Sequence, residues 1–186
     1  VFSAIAAILM VLEFPVPFAP SFYGLDFSEL PALIGAFAYG PVAGVMIEFC
    51  KILIKLVLKP SSTAFVGELA NFSISCMLVL PASVIYLFKK SRKQAILGTV
   101  VGTLIMTAFG SCFNAIYLLP KFSELYGIPL DAIIGMGTAI NPAIHSISGL
   151  VLMCVVPLNL LKGGLVSLIT ILVYKKLSPI LKAAHK

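Results

Sequence analysis

Long apolar runs with almost no period-two alternation fill this chain, and short clusters of proline, glycine and lysine break them. The runs far exceed the roughly 10 residues of a barrel strand, so they predict helices, which satisfy their own backbone groups in lipid. Six helical spans are expected. The first ends near Leu12, where Pro15, Pro17 and Pro20 break the chain into a loop running to Phe27. The second runs from an N-cap at Ser28 to Tyr39, and Gly40-Pro41 turns the chain into a third that ends near Leu58. After a turn at Lys59 to Ser62, the fourth runs from about Thr63 to Phe88 and the fifth from about Gln94 to Leu119. The sixth starts near Pro157, a residue suited to N1, and ends near Leu177. Asn141-Pro142, His145 and Gly149 interrupt an apolar run that otherwise mimics a seventh span, so 120–156 is expected to be a link with short helices over the outer face. No internal repeat is visible. Residues 1–186 read as a single transmembrane domain, with the first helix cut short because Val1 to Leu12 falls below the roughly 20 residues of a span. No basic n-region or small-residue cleavage site marks a signal peptide.

Composition supports the membrane reading. Sixty per cent of residues are apolar and 11% charged, with a mean hydropathy of +1.11, more than a soluble core needs. The fold class is therefore an all-α, multi-pass membrane protein in contact with the lipid bilayer. The net charge of +6 comes from lysines at segment ends, without the aromatic interleaving of a nucleic-acid surface, so nucleic acid is not an expected partner. Positive-inside bias puts Lys89 to Lys93, Lys175, Lys176, Lys182 and Lys186 in the cytoplasm, with both termini inside. Cys50, Cys76, Cys112 and Cys154 lie in apolar runs without metal-ligand spacing and read as small apolar residues. No metal site is expected.

The chemistry lies in the few polar groups that remain. Between the cluster at 89–93 and the C-terminal tail, the principal charges are Lys121, Glu124, Asp131 and Lys162. A lysine inside a membrane-length segment costs several kcal/mol unless partnered or hydrated, so Lys162 reads as functional, with snorkelling to the interface as its alternative. Asn159 and Lys162 open span six, Asn114 and Tyr117 close span five, and Glu68 and Asn71 open span four. With Leu25, Asp26 and Phe27 in the outer loop, all approach one membrane face and predict a ligand pocket near the outer surface. Each has a plainer reading. Asn71 and Asn114 can bridge helices, Tyr117 can join the interfacial aromatic belt, and Asp26 can cap the second helix with Ser28. Glu68 can pair with Lys51 or Lys55, and Glu48 with Lys51 three residues on. His145 reads as a loop residue.

No HExxH, GxSxG or P-loop is present, so the chain is not expected to be an enzyme or to use ATP itself. Glu48 and Glu68 keep a proton-coupled carrier open, although six spans without an inverted repeat suit that class poorly.

Several ordered segments are similar to one family. Leu25-Asp26-Phe27-Ser28-Glu29-Leu30-Pro31, then Gly40-Pro41-Val42-Ala43-Gly44, Gly67-Glu68-Leu69-Ala70-Asn71-Phe72, Asn114 with Tyr117, and Pro157-Leu158-Asn159-Leu160-Leu161-Lys162-Gly163 cover nearly the whole chain. Together they resemble the riboflavin-specific substrate-binding (S) components of energy-coupling-factor (ECF) transporters. The resemblance implies a six-helix vitamin-binding subunit in the bacterial plasma membrane that works with a transmembrane T subunit and two cytoplasmic ATPases. Riboflavin would be the transported ligand and no cofactor would be needed. The family's motif positions carry over to Leu25 and its loop neighbours, Asn114, Asn159 and Lys162. A small-xxx-small surface for the T subunit is expected on the first helix, where Ser3 and Ala7 have that spacing. The link 120–156 is long for the family. The nearest alternative is another vitamin on the same fold.

Overall fold

Two prolines that look like helix boundaries are not. The computed structural model describes residues 1–183, with side-chain environments through residue 173. Lys186 and the side chains of Lys175, Lys176 and Lys182, on which the orientation reading leans, lie outside what it describes. Helix α1 covers Phe2–Val11, a two-residue hairpin pairs β1 (Phe14–Pro15) with β2 (Gly24–Leu25), and α2 (Glu29–Tyr39) and α3 (Pro41–Leu58) follow. Then come α4 (Val66–Phe88), α5 (Arg92–Phe113), a π-helical turn at 114–118, α6 (Leu119–Tyr126), α7 (Leu130–Thr138), α8 (Ile147–Leu150), a second π turn at 151–155, and α9 (Val156–Ala183).

The two π turns repeat one device. Each is closed by an i→i+5 bond, Leu119 N–H to the Asn114 carbonyl and Val156 N–H to the Val151 carbonyl, and each is followed at once by a proline, Pro120 or Pro157. A proline in a helix lacks a donor and crowds the carbonyl four residues back; one wider turn relieves both problems without ending the helix. Continuous apolar helices therefore run over Arg92–Tyr126 and Ile147–Val173. This corrects two expected boundaries: the fifth helical segment does not stop at Leu119, and the last begins before Pro157. The expected link at 120–156 contracts to α7 and the turns on either side of it. Asn141-Pro142 does break the chain, whereas Gly149 sits inside α8.

Among the described residues, three helices are long and apolar enough to cross a membrane, Val66–Phe88, Arg92–Tyr126 and Ile147–Val173. Their outward residues, such as Leu104, Leu168 and Leu172, are exposed large hydrophobics, as an integral membrane protein in a lipid solvent requires. α4 and α5 lie almost backbone to backbone. A Cβ on Gly98 would fall 2.5 Å from the Ala82 carbonyl oxygen, and one on Gly102 would fall 2.6 Å from that of Leu78, so only glycine permits this approach.

Two large apolar cores result, with a small third cluster of Val66, Ala70 and Leu118. Leu33, Phe37, Leu78, Val79, Tyr86, Met106 and Val166 join α2, α4, α5 and α9, with the Phe37 and Tyr86 rings 4.6 Å apart. Val16, Tyr23, Leu119, Ile133, Ile144, Leu150 and Leu158 form the second beneath the hairpin loop and α7. A polar layer lies between them.

Candidate functional site

That layer is built around five charged side chains buried together. Asp26 follows β2, and its Oδ1 accepts the Ser28 N–H at 2.8 Å, a local turn that aims Oδ2 across the bundle. Lys162, in the second turn of α9, meets it at 2.9 Å and also reaches Glu29 Oε1 at 2.7 Å. Ser75 of α4 donates to the same Glu29 oxygen at 2.7 Å. Deeper in, Lys51 is paired with Glu48 at 2.5 Å and donates to Ser28 Oγ at 3.0 Å. Lys51 and Glu48 are each 0% exposed and Glu29 1%. Charges this far from water persist only when every member is partnered, because the desolvation cost per ion is several kcal/mol. Asp26, in the connection before α2, shows the balance. Burial raises its carboxyl pKa, yet the charges of Lys162 and Lys51 and the hydrogen bonds from Ser28 and Lys162 outweigh burial and hold it below its ordinary value.

The layer borders a cavity of about 830 Å³ lined by the end of α1, the hairpin loop, α3, the turn at 59–63, α4, α5, α6, α7 and α9. Asp26, Glu68, Asn71, Asn114, Asn159 and Lys162 all line it, so six expected positions from four separate stretches converge. Asn114 is committed on both sides: its Oδ1 accepts from Tyr23 at 2.8 Å, and its Nδ2 donates to the Gly110 carbonyl at 2.7 Å. Asn159 differs. Its Nδ2 is buried with no hydrogen-bond partner, a donor whose desolvation is uncompensated by the protein. At the rim, Glu68 accepts from Lys55 at 2.5 Å, Ser61 at 2.8 Å and Thr63 at 3.0 Å. Ser61 Oγ also takes the Phe65 N–H, fixing a turn in which Ala64 and Phe65 have φ of 46° and 66°, a conformation costly for non-glycine residues. Half-buried Asn71 lies one turn on from Glu68.

The remaining expected positions do not reach the cavity. Leu25 packs in the loop core and Phe27 against the bundle core. Tyr117 is partly exposed and stacks near Phe113 with centroids 5.0 Å apart, because the π turn rotates it away from the wall that Asn114 occupies. Ala7 is 0% exposed on the face that α1 turns to α2 and α3; it is not a free docking surface, and Ser3 is only half-buried beside it. The Glu48–Lys51 pair forms as expected, Glu68 takes Lys55 rather than Lys51, and Ser28 precedes α2 at its N-cap position without a side-chain capping bond. His145 is exposed. Cys76 and Cys154 are buried, Cys50 is half-buried and Cys112 exposed. Among the described residues, no group of three His, Cys, Asp or Glu is placed to hold a metal.

Sequence reasoning passed over Tyr23, Glu29 and Ser75. Glu29 had the same signal as Lys162, a charge in an apolar helix that demands a partner. Tyr23 was an aromatic with a polar tip in the loop already placed over the pocket. Ser75 had no signal, since a serine in a membrane helix commonly bonds its own backbone.

A lipid-facing helical bundle with a polar, loop-covered cavity at one end defines a membrane-embedded small-molecule-binding protein. Comparison with known proteins narrows the class. The profile of the family described as "ECF transporter, substrate-specific component" matches residues 1–174. The chain is 34% identical over 180 residues to the riboflavin transporter RibU of Staphylococcus aureus (strain TCH60), covering 97% of this chain and 88% of that one. It is 32% identical over 180 residues to the riboflavin transporter FmnP of Bacillus subtilis (strain 168), covering 95% and 88%. A solved S component of a bacterial ECF transporter superposes with a TM-score of 0.73 at 36% identity, covering 97% of this chain and 93% of that one. The chain belongs to the substrate-specific components of ECF transporters, as its sequence segments suggested, and is a transport subunit rather than an enzyme.

Proposed function

We propose that this chain is the riboflavin-binding S component of an ECF transporter in a bacterial plasma membrane. It crosses the bilayer six times as one domain with both termini in the cytoplasm. It takes up riboflavin from the outer face and releases it inward when a T subunit and two ATPases act. The observation that carries this reading is the convergence of Asn114, Asn159 and Lys162 on one cavity in a chain similar along nearly its whole length to two riboflavin transporters. A volume near 830 Å³ suits a drug-sized ligand. The flavin ring offers carbonyls and an imide N–H along one edge. Asn159 has an unused donor for that edge, and Lys162, with three N–H groups and two engaged carboxylates, retains one for a carbonyl or ring nitrogen. Apolar walls from Met106, Leu118, Ile133 and Leu158 suit the dimethylbenzene end. Glu68 and Asn71 at the rim accept from ribityl hydroxyls, and Asp26 holds Lys162 in place. The T subunit docks on the outward face of α1, where Ser3 adjoins exposed Ala4 and Ile8.

Energy dependence tests the transport half. In proteoliposomes this chain alone binds flavin without accumulating it, and ATP-driven uptake appears when the T subunit and ATPases are added. Concentrative uptake by this chain alone, driven by a proton gradient, contradicts the reading and favours a carrier.

A further inference from the structure

Two of the three carboxamides that line the cavity, those of Asn114 and Asn159, share a single backbone position. Gly110 lies in the last turn of α5; its carbonyl accepts Asn114 Nδ2 at 2.7 Å, and a Cβ built on it would stand 2.8 Å from Asn159 Nδ2 on α9. That separation is below any real contact of a Cβ, and the next neighbour, Ile74 Cγ2, would be at 3.4 Å, an ordinary distance. The obstructed atom is thus the far end of one flexible side chain. This distinguishes Gly110 from Gly98 and Gly102, whose added methyls would meet the α4 backbone and force helices apart.

From this geometry we infer that Gly110 is a positioning residue for ligand recognition: its missing side chain is the seat of the Asn159 carboxamide, and its carbonyl orients Asn114. The inference rests on the riboflavin reading of the cavity and adds a residue that touches no ligand itself. A methyl at position 110 turns the Asn159 carboxamide to another rotamer and costs the ligand a directed donor, while the bundle keeps its packing. Asn114, held also by Tyr23 from the loop side, stays in place, so the effect is specific to Asn159.

The test is a double-mutant cycle on the purified full chain, with riboflavin fluorescence quenching as the binding signal and the visible absorption band of bound flavin as a second readout. Wild type must bind riboflavin first; if it does not, the proposed function fails and the cycle is not reached. Gly110→Ala is expected to weaken binding on the order of 10-fold and to shift the bound-flavin band, as loss of a directed hydrogen bond does. In an Asn159→Ala background the same substitution is expected to change affinity less than about 2-fold, because the displaced side chain is gone. Equal losses in both backgrounds, or no loss in the wild-type background, overturn the inference. If Gly110→Ala alone does not fold, recovery of folded protein in Gly110→Ala/Asn159→Ala supports it, and failure of both overturns it.

Discussion

Lys162 and Asp26 stand 136 residues apart in sequence, yet their ammonium and carboxylate lie 2.9 Å apart and fasten the loop that covers the cavity to the helix that forms its far wall. Glu29 is the second carboxylate on the same ammonium, so the two members of the pair are not equivalent. Lys162→Ala removes the cation that Asp26 and Glu29 share, leaving only the more distant Lys51, 4.0 Å from Glu29, and is expected to cost about 3–5 kcal/mol of stability. Asp26→Asn leaves Lys162 on Glu29 and costs clearly less. Unfolding of both variants in detergent, followed by helical circular dichroism, checks the order; equal losses show that Glu29 contributes nothing to holding Lys162.

The pair also sets an acid limit. Because the Asp26 carboxyl is held below its ordinary value by Lys162 and Lys51 against the opposing effect of burial, its contribution is fully present above the unfolded value of about 3.9 and disappears as pH falls through the folded one. The stability gap between wild type and Asp26→Asn is therefore expected to be constant from about pH 8 to about pH 5 and to shrink only below about pH 4. Unfolding curves across that range test this. A gap that widens as the solution is acidified contradicts the ion pair.

α1 separates packing from docking. Ala7 is fully buried, so Ala7→Trp overpacks the bundle and is expected to cost about 1–3 kcal/mol, weakening ligand binding by the isolated subunit as well as uptake. Ala4→Trp, on the exposed face, is expected to leave binding intact and to reduce uptake in the assembled transporter. Thermal unfolding together with uptake assays separates the two; an Ala7→Trp protein with wild-type stability shows that α1 packs on its other face.

Much of the cavity's polar lining was legible from polar residues stranded in apolar runs. Lys162, Asn159, Asn114, Glu68 and Asn71 announce themselves because lipid makes each costly, Asp26 stands in the loop beside them, and proximity to one membrane face was enough to gather all six. Leu25 lies on β2 and packs in the loop core rather than on the cavity wall, and Tyr117 lies off the wall for a different reason. Which face of a helix a residue occupies depends on its local winding, and the π turn at 114–118 shifts the register just where Asn114 and Tyr117 must be told apart. Pro120 and Pro157 misled the boundaries for the same reason, since a proline reads as a break when a wider turn can absorb it. Ala7 carried the spacing of a docking stripe, but spacing alone does not reveal which side of a short helix the rest of the chain covers.

The central claim is that the cavity holding Asn159 and Lys162 is the riboflavin site, and fluorescence titration of riboflavin with the purified chain tests it most directly. Wild type is expected to quench riboflavin saturably with one site per chain. Asn159→Ala is expected to lose about 1–3 kcal/mol of binding, while His145→Ala, exposed and outside the cavity, matches wild type. Folded wild-type protein that leaves riboflavin fully fluorescent, or a folded Asn159→Ala variant with unchanged affinity, contradicts the account.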